Sequence, residues 1–222
     1  MTYMNFLLVD FEYTFYKRPY GKPRSFFSEI IEIGAVKLEE ETLKECGKLQ
    51  NFVKPEFFPN HATDAMDFCM ITPSDMKKAI SFHQMVKKLS DLYVPGETYF
   101  VTWSDCDYQV LDICCQKYRI KNPINRKDCL DLAEAYRLMK GKDNTTSLMA
   151  SLKELAIENN GLWHTAFDDA ENTGKILTKL FELGWTPEAF FKAKSEVIEA
   201  RRLVSQKKYL AWLERRNKKY VV

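Results

Sequence analysis

The residue types best suited to chemistry stand at the end of the first long apolar run. Phe6-Leu7-Leu8-Val9 delivers Asp10 and Glu12 with Phe11 between them. Residues two apart in a strand share a face, so the two carboxylates point one way while Val9 and Phe11 point the other. Like charges this close raise each other's pKa, so the pair calls for a shared proton or a divalent metal. An isolated Asp-x-Glu is more often an ordinary strand end whose acids face solvent. Distant residues must decide.

Two stretches bear on that choice. His164, one of three histidines, stands five residues before Asp169, just after Gly161 and ahead of an amphipathic stretch. That order predicts an imidazole on a loop and a carboxylate in a first helical turn, both able to face the end of the Asp10 strand. Earlier in the chain, Ser104-Asp105-Cys106-Asp107 joins the β-branched and aromatic stretch 98–103 to a segment with helical apolar spacing at Val110, Leu111, Cys114 and Cys115. Carboxylates at a strand-to-helix junction sit where open α/β sheets place their ligands.

The elements that must hold these groups read as an α/β chain. Strands are predicted at 6–12, 29–38 and 47–53, and their short connections suggest an antiparallel start to a mixed sheet. Residues 13–27 read as a loop and 59–68 as irregular chain. A helix start with hydroxyl caps follows at 71–75, then a helix over 82–92, a strand over 98–103 and a helix over 108–118. A short strand at 128–132 leads into a helix through Met139. An amphipathic helix over 148–158 is predicted to be capped by Asn159-Asn160-Gly161, and the segment with Asp169 leads into a helix through Leu183. A long basic helix runs from Glu188 to about Lys219.

At 222 residues and 26.1 kDa the chain has room for one substantial domain and an appendage. The expected division is a domain over 1–185 and a basic helical extension over 186–222. A hydrophobic content of 45% with 29% charged residues excludes extensive disorder. Neither a signal-peptide pattern nor an apolar run of membrane-spanning length is present, which predicts a cytoplasmic protein with no membrane partner. The six cysteines include no Cys-x-x-Cys pair, which favours reduced, mostly buried thiols over zinc or disulfides. The net charge of +2 hides ten basic against four acidic residues from Thr186 onward. A basic tail on a near-neutral body suits a polyanionic partner and also suits a solvated helix.

Taken together, Asp10-Phe11-Glu12-Tyr13-Thr14, Asp107-Tyr108-Gln109-Val110-Leu111 and His164-Thr165-Ala166-Phe167-Asp168-Asp169-Ala170 resemble the three motifs of the DnaQ-like 3′-to-5′ exonuclease superfamily, in its subgroup with four acids and a histidine (DEDDh). The likeness runs from about Asn5 to Leu180. Glu29-Ile30-Ile31-Glu32-Ile33-Gly34-Ala35-Val36, Phe52-Val53-Lys54-Pro55 and Trp103-Ser104-Asp105 are most similar to the Eri-type branch, whose look-alikes include KapD-like bacterial proteins. Two departures bear on the shape of the substrate pocket. Tyr13 replaces a small residue before the threonine, and the usual His-Asn before Asp107 is missing.

The resemblance implies an RNase H-like mixed β-sheet flanked by α-helices. It also implies a metal-dependent 3′-to-5′ exonuclease acting on single-stranded or overhanging 3′ ends, RNA more than DNA, and releasing nucleoside 5′-monophosphates. Two Mg²⁺ or Mn²⁺ ions are implied, with Asp10 bridging both, Glu12 and Asp169 completing one site and Asp107 holding the other, and with His164 as proton acceptor. The family's apolar residue four places after its aspartate selects Asp107, through Leu111, over Asp105. The His-x4-Asp spacing selects Asp169 over Asp168, which is left as a helix cap. Phe11, Tyr13 and Thr14 are candidates for gripping the terminal nucleotide, although the side chain of Phe11 also reads as core. Lys17, Arg18, Lys22 and Arg24, interleaved with Tyr16, Tyr20 and Phe26, suit a loop that tracks a nucleic-acid strand and equally a solvated loop. The other function class is a regulatory protein on the same scaffold with a protein partner, in keeping with the sporulation-kinase inhibition associated with KapD-like relatives.

Overall fold

The computed structural model describes residues 4–17 and 20–218, and of residues 201 and 213–218 the backbone only. Arg18 and Lys219, named above, lie outside the described residues. Strands β1 (Asn5–Tyr13), β2 (Ile30–Leu38), β3 (Glu45–Phe52), β4 (Thr98–Thr102) and β5 (Cys129–Asp131) form one sheet in the order β3-β2-β1-β4-β5. The first three are antiparallel neighbours, whereas β4 runs parallel to β1 and β5 parallel to β4. The helices are α1 (Thr63–Phe68), α2 (Pro73–Lys77), α3 (Phe82–Leu92), α4 (Asp105–Lys117), α5 (Leu132–Met139), α6 (Leu148–Glu154), α7 (Ala166–Glu182) and α8 (Pro187–Lys218).

Strand β1 lies at the centre of the sheet and is covered on both faces, which is why its first half reads as an unbroken apolar run. On one face Leu7, Val9 and Phe11 share a core with Phe82, Met85 and Leu89 of α3 and with Leu111 of α4. On the other face α7 packs: Phe6 meets the edge of the Phe181 ring at 5.4 Å, and Gly174 lies against Leu8. All six cysteines are free, and four of them are buried.

The chain divides into two compact units, one ending at Glu182 and the other beginning at Leu183. The second consists largely of α8, which carries an ion pair between Arg202 and Glu199 at 3.6 Å. No helix among the described residues is long and apolar enough to cross a membrane.

Two sequence expectations are corrected. Residues 59–68 are ordered as a 3-10 turn, Pro59–His61, followed by α1, which at six residues is too short to show a periodic stripe. Helix α6 stops at Glu154, with Ala156 at φ 54° beyond it. Asn159-Asn160-Gly161 is therefore no helix cap; the Asn172 side chain of α7 holds it by donating to Asn159 Oδ1 at 2.7 Å and Asn160 O at 3.0 Å.

The β1–β2 register puts Asp10 opposite Gly34 and Glu12 opposite Glu32. The start of α7 presses onto β2 so closely that a Cβ at residue 34 would lie 2.1 Å from the Ala166 carbonyl carbon. Only glycine permits this approach, and the first turn of α7, with Asp169, is placed by it. Gly34→Ala is expected to destabilise the fold by at least about 1–3 kcal/mol through overpacking against backbone. Gly174→Ala, whose Cβ would meet Leu8 at an ordinary 3.6 Å, should stabilise by about 0.5–1 kcal/mol as a helical Gly-to-Ala change. Thermal unfolding followed by circular dichroism checks the pair, and equal melting temperatures would refute the close-contact account.

Candidate active site

A cavity of about 510 Å³ opens at the end of β1 and is bordered by Asp10, Glu12, Asp107, His164 and Asp169. The five residues arrive on four supports: β1, α4, α7 and the loop before α7. Asp10 and Glu12 are two apart on β1, on the face that alternation assigns them. Asp107 lies in the first turn of α4, behind the Ser104 cap, and its Oδ1 accepts the Phe11 backbone N–H at 3.2 Å. That bond ties the α4 carboxylate directly to the strand between the other two acids. Asp169 lies in the first turn of α7, where Oδ2 accepts the His164 N–H at 3.1 Å.

His164 sits on the preceding loop with φ 64°, a left-handed conformation uncommon for a residue with a side chain. Its exposed ring packs on Phe68 of α1, with centroids 4.3 Å apart. Donor atoms of Glu12, His164 and Asp169 all lie within 4.8 Å of one another.

The electrostatics are those of crowded, poorly hydrated acids. Burial raises Asp10 well above the usual carboxyl range, and the charges of Asp107, Glu12, Asp169 and Glu32 add to it. Burial lifts Asp107 to about 7, against the lowering effect of the Phe11 N–H. Burial likewise lifts Asp169 to about 6, opposed by the His164 N–H. Glu12 is raised by burial too, with the Cys69 thiol, which donates to its Oε2 at 3.0 Å, pulling the other way. One oxygen of Asp169 is buried without a hydrogen-bond partner among the described residues. Converging hard oxygen donors, one of them unpartnered, fit a hard divalent cation, which would reverse the repulsion among these acids.

The structure thus brings all five chemical residues together, and it separates them from the two rejected aspartates. Asp105 turns outward to Arg126 and accepts Gln109 Nε2 at 2.9 Å. Asp168 is not a helix cap but lies inside α7, where its Oδ2 accepts the Leu162 N–H at 2.8 Å. Phe11 borders the cavity, but its side chain is core, whereas Tyr13 borders it half-buried. Thr14 does not border it: the side chain is fully buried, and its hydroxyl accepts the Glu29 N–H at 2.9 Å, closing the β1–β2 pairing.

Sequence reasoning missed several residues. Glu32 is buried opposite Glu12, with Oε1 unpartnered among the described residues, Oε2 3.4 Å from the Ala166 N–H, and a pKa pushed by burial to about 7. The signal was an acid inside a run that is otherwise apolar. Phe68 and Trp163 also border the cavity, with Trp103, whose indole N–H donates to Thr146 O at 3.1 Å and fixes the loop before α6. Phe68 was hidden in the stretch read as irregular.

Comparison with known proteins finds matches among exonucleases. The family model described as Exonuclease, of the RNase T type, matches residues 7–177. The chain is 31% identical over 184 residues to the probable 3′-5′ exonuclease KapD of Bacillus subtilis, covering 82% of this chain and 86% of that one. It is 30% identical over 189 residues to human 3′-5′ exoribonuclease 1, covering 80% of this chain and 52% of the relative, so it spans about half that protein's length. Among solved structures, the nuclease domain of 3′hExo, a DEDDh family member bound to rAMP, superposes with a TM-score of 0.71 at 27% identity, covering 82% of this chain and 94% of that one. The mixed sheet flanked by helices is the RNase H-like fold of these nucleases.

The raised carboxyls hold protons in the folded chain at pH values where the unfolded chain has lost them. Without divalent cations, stability should therefore fall as pH rises from the ordinary carboxyl range near 4 through the folded values of about 6 and 7. The expected outcome in EDTA is a melting temperature lower at pH 8 than at pH 5, with the fall reduced in Asp107→Asn and reversed by Mn²⁺ at pH 8. A melting temperature that climbs over that interval in EDTA would contradict the assignment.

Proposed function

This chain belongs to the exonuclease family, and we propose that it is a metal-dependent 3′-to-5′ exonuclease that removes nucleoside 5′-monophosphates from single-stranded or overhanging 3′ ends, RNA in preference to DNA. The observation that carries this reading is the meeting of Asp10, Glu12, Asp107, Asp169 and His164 on one aromatic-walled cavity. Preference for RNA rests on the likeness to exoribonucleases. The catalytic domain in this reading is residues 1–185, with 186–222 a basic helical extension.

Two Mg²⁺ or Mn²⁺ ions would be held here and would supply an acidified water and neutralisation of phosphate charge. Asp10 is assigned to both ions, Glu12 and Asp169 to one, and Asp107 to the other. His164 is assigned the proton of the attacking water, because its exposed imidazole stands within reach of the Glu12 and Asp169 oxygens without being tied into the sheet. The Asp169 carboxylate accepts the His164 backbone N–H and Phe68 packs on its ring, so the base is aimed by groups that border the same cavity. Phe68, Trp103 and Trp163 present flat apolar surface for the terminal base. Tyr13 is assigned to the rim of that pocket, with Phe11 and Thr14 acting through the strand that they fix rather than by touching the nucleotide.

The regulatory reading taken from KapD-like relatives remains compatible with this fold, but a complete set of acids with the histidine favours catalysis.

With 5′-labelled RNA and DNA oligonucleotides and Mg²⁺ or Mn²⁺, the expected product is a ladder shortened from the 3′ end. Asp10→Ala should abolish it. His164→Ala should lower kcat by about 10²–10⁴-fold, the usual worth of a general base, while Mn²⁺ affinity stays near that of the wild type. Intact oligonucleotides with either ion would overturn the enzymatic reading.

A further inference from the structure

A second cavity, of about 380 Å³, has no part in the chemistry above. Tyr16 and Lys17, just after β1, form one side of it, and Asn60, His61 and Thr63, where α1 begins, form the other. Two connections tie it to the active site. Phe15 borders both cavities. Helix α1 also runs from one to the other, since its first residue, Thr63, borders the second cavity and its last, Phe68, borders the first. At 1.5 Å per residue its first and last residues stand about 7.5 Å apart, roughly two base steps of a stacked strand at 3.4 Å.

The walls carry groups suited to one kind of ligand. Lys17 is an exposed cation. His61 has Nδ1 buried without a hydrogen-bond partner among the described residues. The Tyr16 ring lies 5.7 Å from the His61 ring and 5.7 Å from Phe26, so an aromatic cluster backs the cavity. Asn60 and Thr63 add amide and hydroxyl groups, and Asp64, the acid on this wall, adds an acceptor for a sugar hydroxyl or base amino group. A cation for phosphate, a ring for stacking and short polar groups for base edges make up the chemistry of single-strand binding.

Resting on the exonuclease reading, the geometry points to a second nucleotide subsite: the strand leaves the catalytic cavity over Phe15 and seats a nucleotide upstream of the terminal one in the second cavity, against Tyr16, Lys17 and His61. The loop composition noted in the sequence then has a defined place of action. Lys17 neutralises a phosphate of the strand body, and the terminal nucleotide does not depend on it.

The test uses the full chain with a short 5′-labelled RNA, comparing wild type, Lys17→Ala and His61→Phe, the last keeping the aromatic packing while removing Nδ1. Each variant should raise KM by about three- to ten-fold, the loss of one stacking or phosphate contact, with kcat close to wild type. Inhibition by AMP, which fills the terminal position alone, should be unchanged. Lys17→Ala should also flatten the dependence of log KM on log salt by about 0.7, the single-strand value per phosphate. An unchanged KM, or an AMP inhibition constant that rises with KM, would overturn the subsite. Should the wild type fail to shorten the RNA at all, the exonuclease reading falls. Fluorescence anisotropy of the same RNA then decides the subsite alone, with weaker binding by Lys17→Ala supporting it and equal binding refuting it.

Discussion

The contact on which the site depends is made where residue 34 has no side chain. The backbone at Ala166 lies against β2 in the space that a Cβ at Gly34 would fill. Gly34 pairs with Asp10 across β1–β2, so the position of closest approach is also the position opposite the central acid. From there α7 carries Asp169 into the cavity, and the Asp169 carboxylate holds the backbone of His164. A strand register and a helix docking are thereby converted into distances between the groups that border the cavity. The same logic operates on α4, whose Asp107 carboxylate is bound to the β1 backbone itself.

Bringing acids together in this way is electrostatically unfavourable. Asp10, Asp107, Asp169 and Glu32 are all raised, in each case chiefly by burial. Rigid strands and first helical turns keep the carboxylates from relaxing apart, so the repulsion is relieved by protons or by cations. Glu32 sharpens this arrangement. It stands opposite Glu12, keeps one oxygen near the Ala166 N–H and leaves the other unpartnered among the described residues, so it supports the start of α7 while adding negative potential behind the site.

Much of this was legible in the sequence because it rests on local periodicity. Alternation placed Asp10 and Glu12 on one face, and the position of His164 between Gly161 and an amphipathic stretch placed it on a loop with Asp169 in a first helical turn. The family resemblance, through its apolar residue four places on, chose Asp107 over Asp105, and the structure turns Asp105 outward to Arg126. What stayed hidden depends on contacts between distant segments. Helix α1 is too short to register as a period, so Phe68 and its packing on His164 went unseen. Thr14, adjacent to the acids in sequence, spends its hydroxyl on the Glu29 backbone instead of the cavity. The end of α6 was misread because Asn159-Asn160-Gly161 looks like a cap, whereas Asn172, more than ten residues on, determines its conformation.

The central claim is that Asp10, Glu12, Asp107 and Asp169 form a cradle for divalent cations, held ready by the fold. Anomalous diffraction from crystals soaked in Mn²⁺ tests it most directly. The account predicts two peaks about 4 Å apart, both against Asp10, one also against Glu12 and Asp169 and the other on the side of Asp107. Peaks placed away from these carboxylates, or none at saturating Mn²⁺, would contradict it.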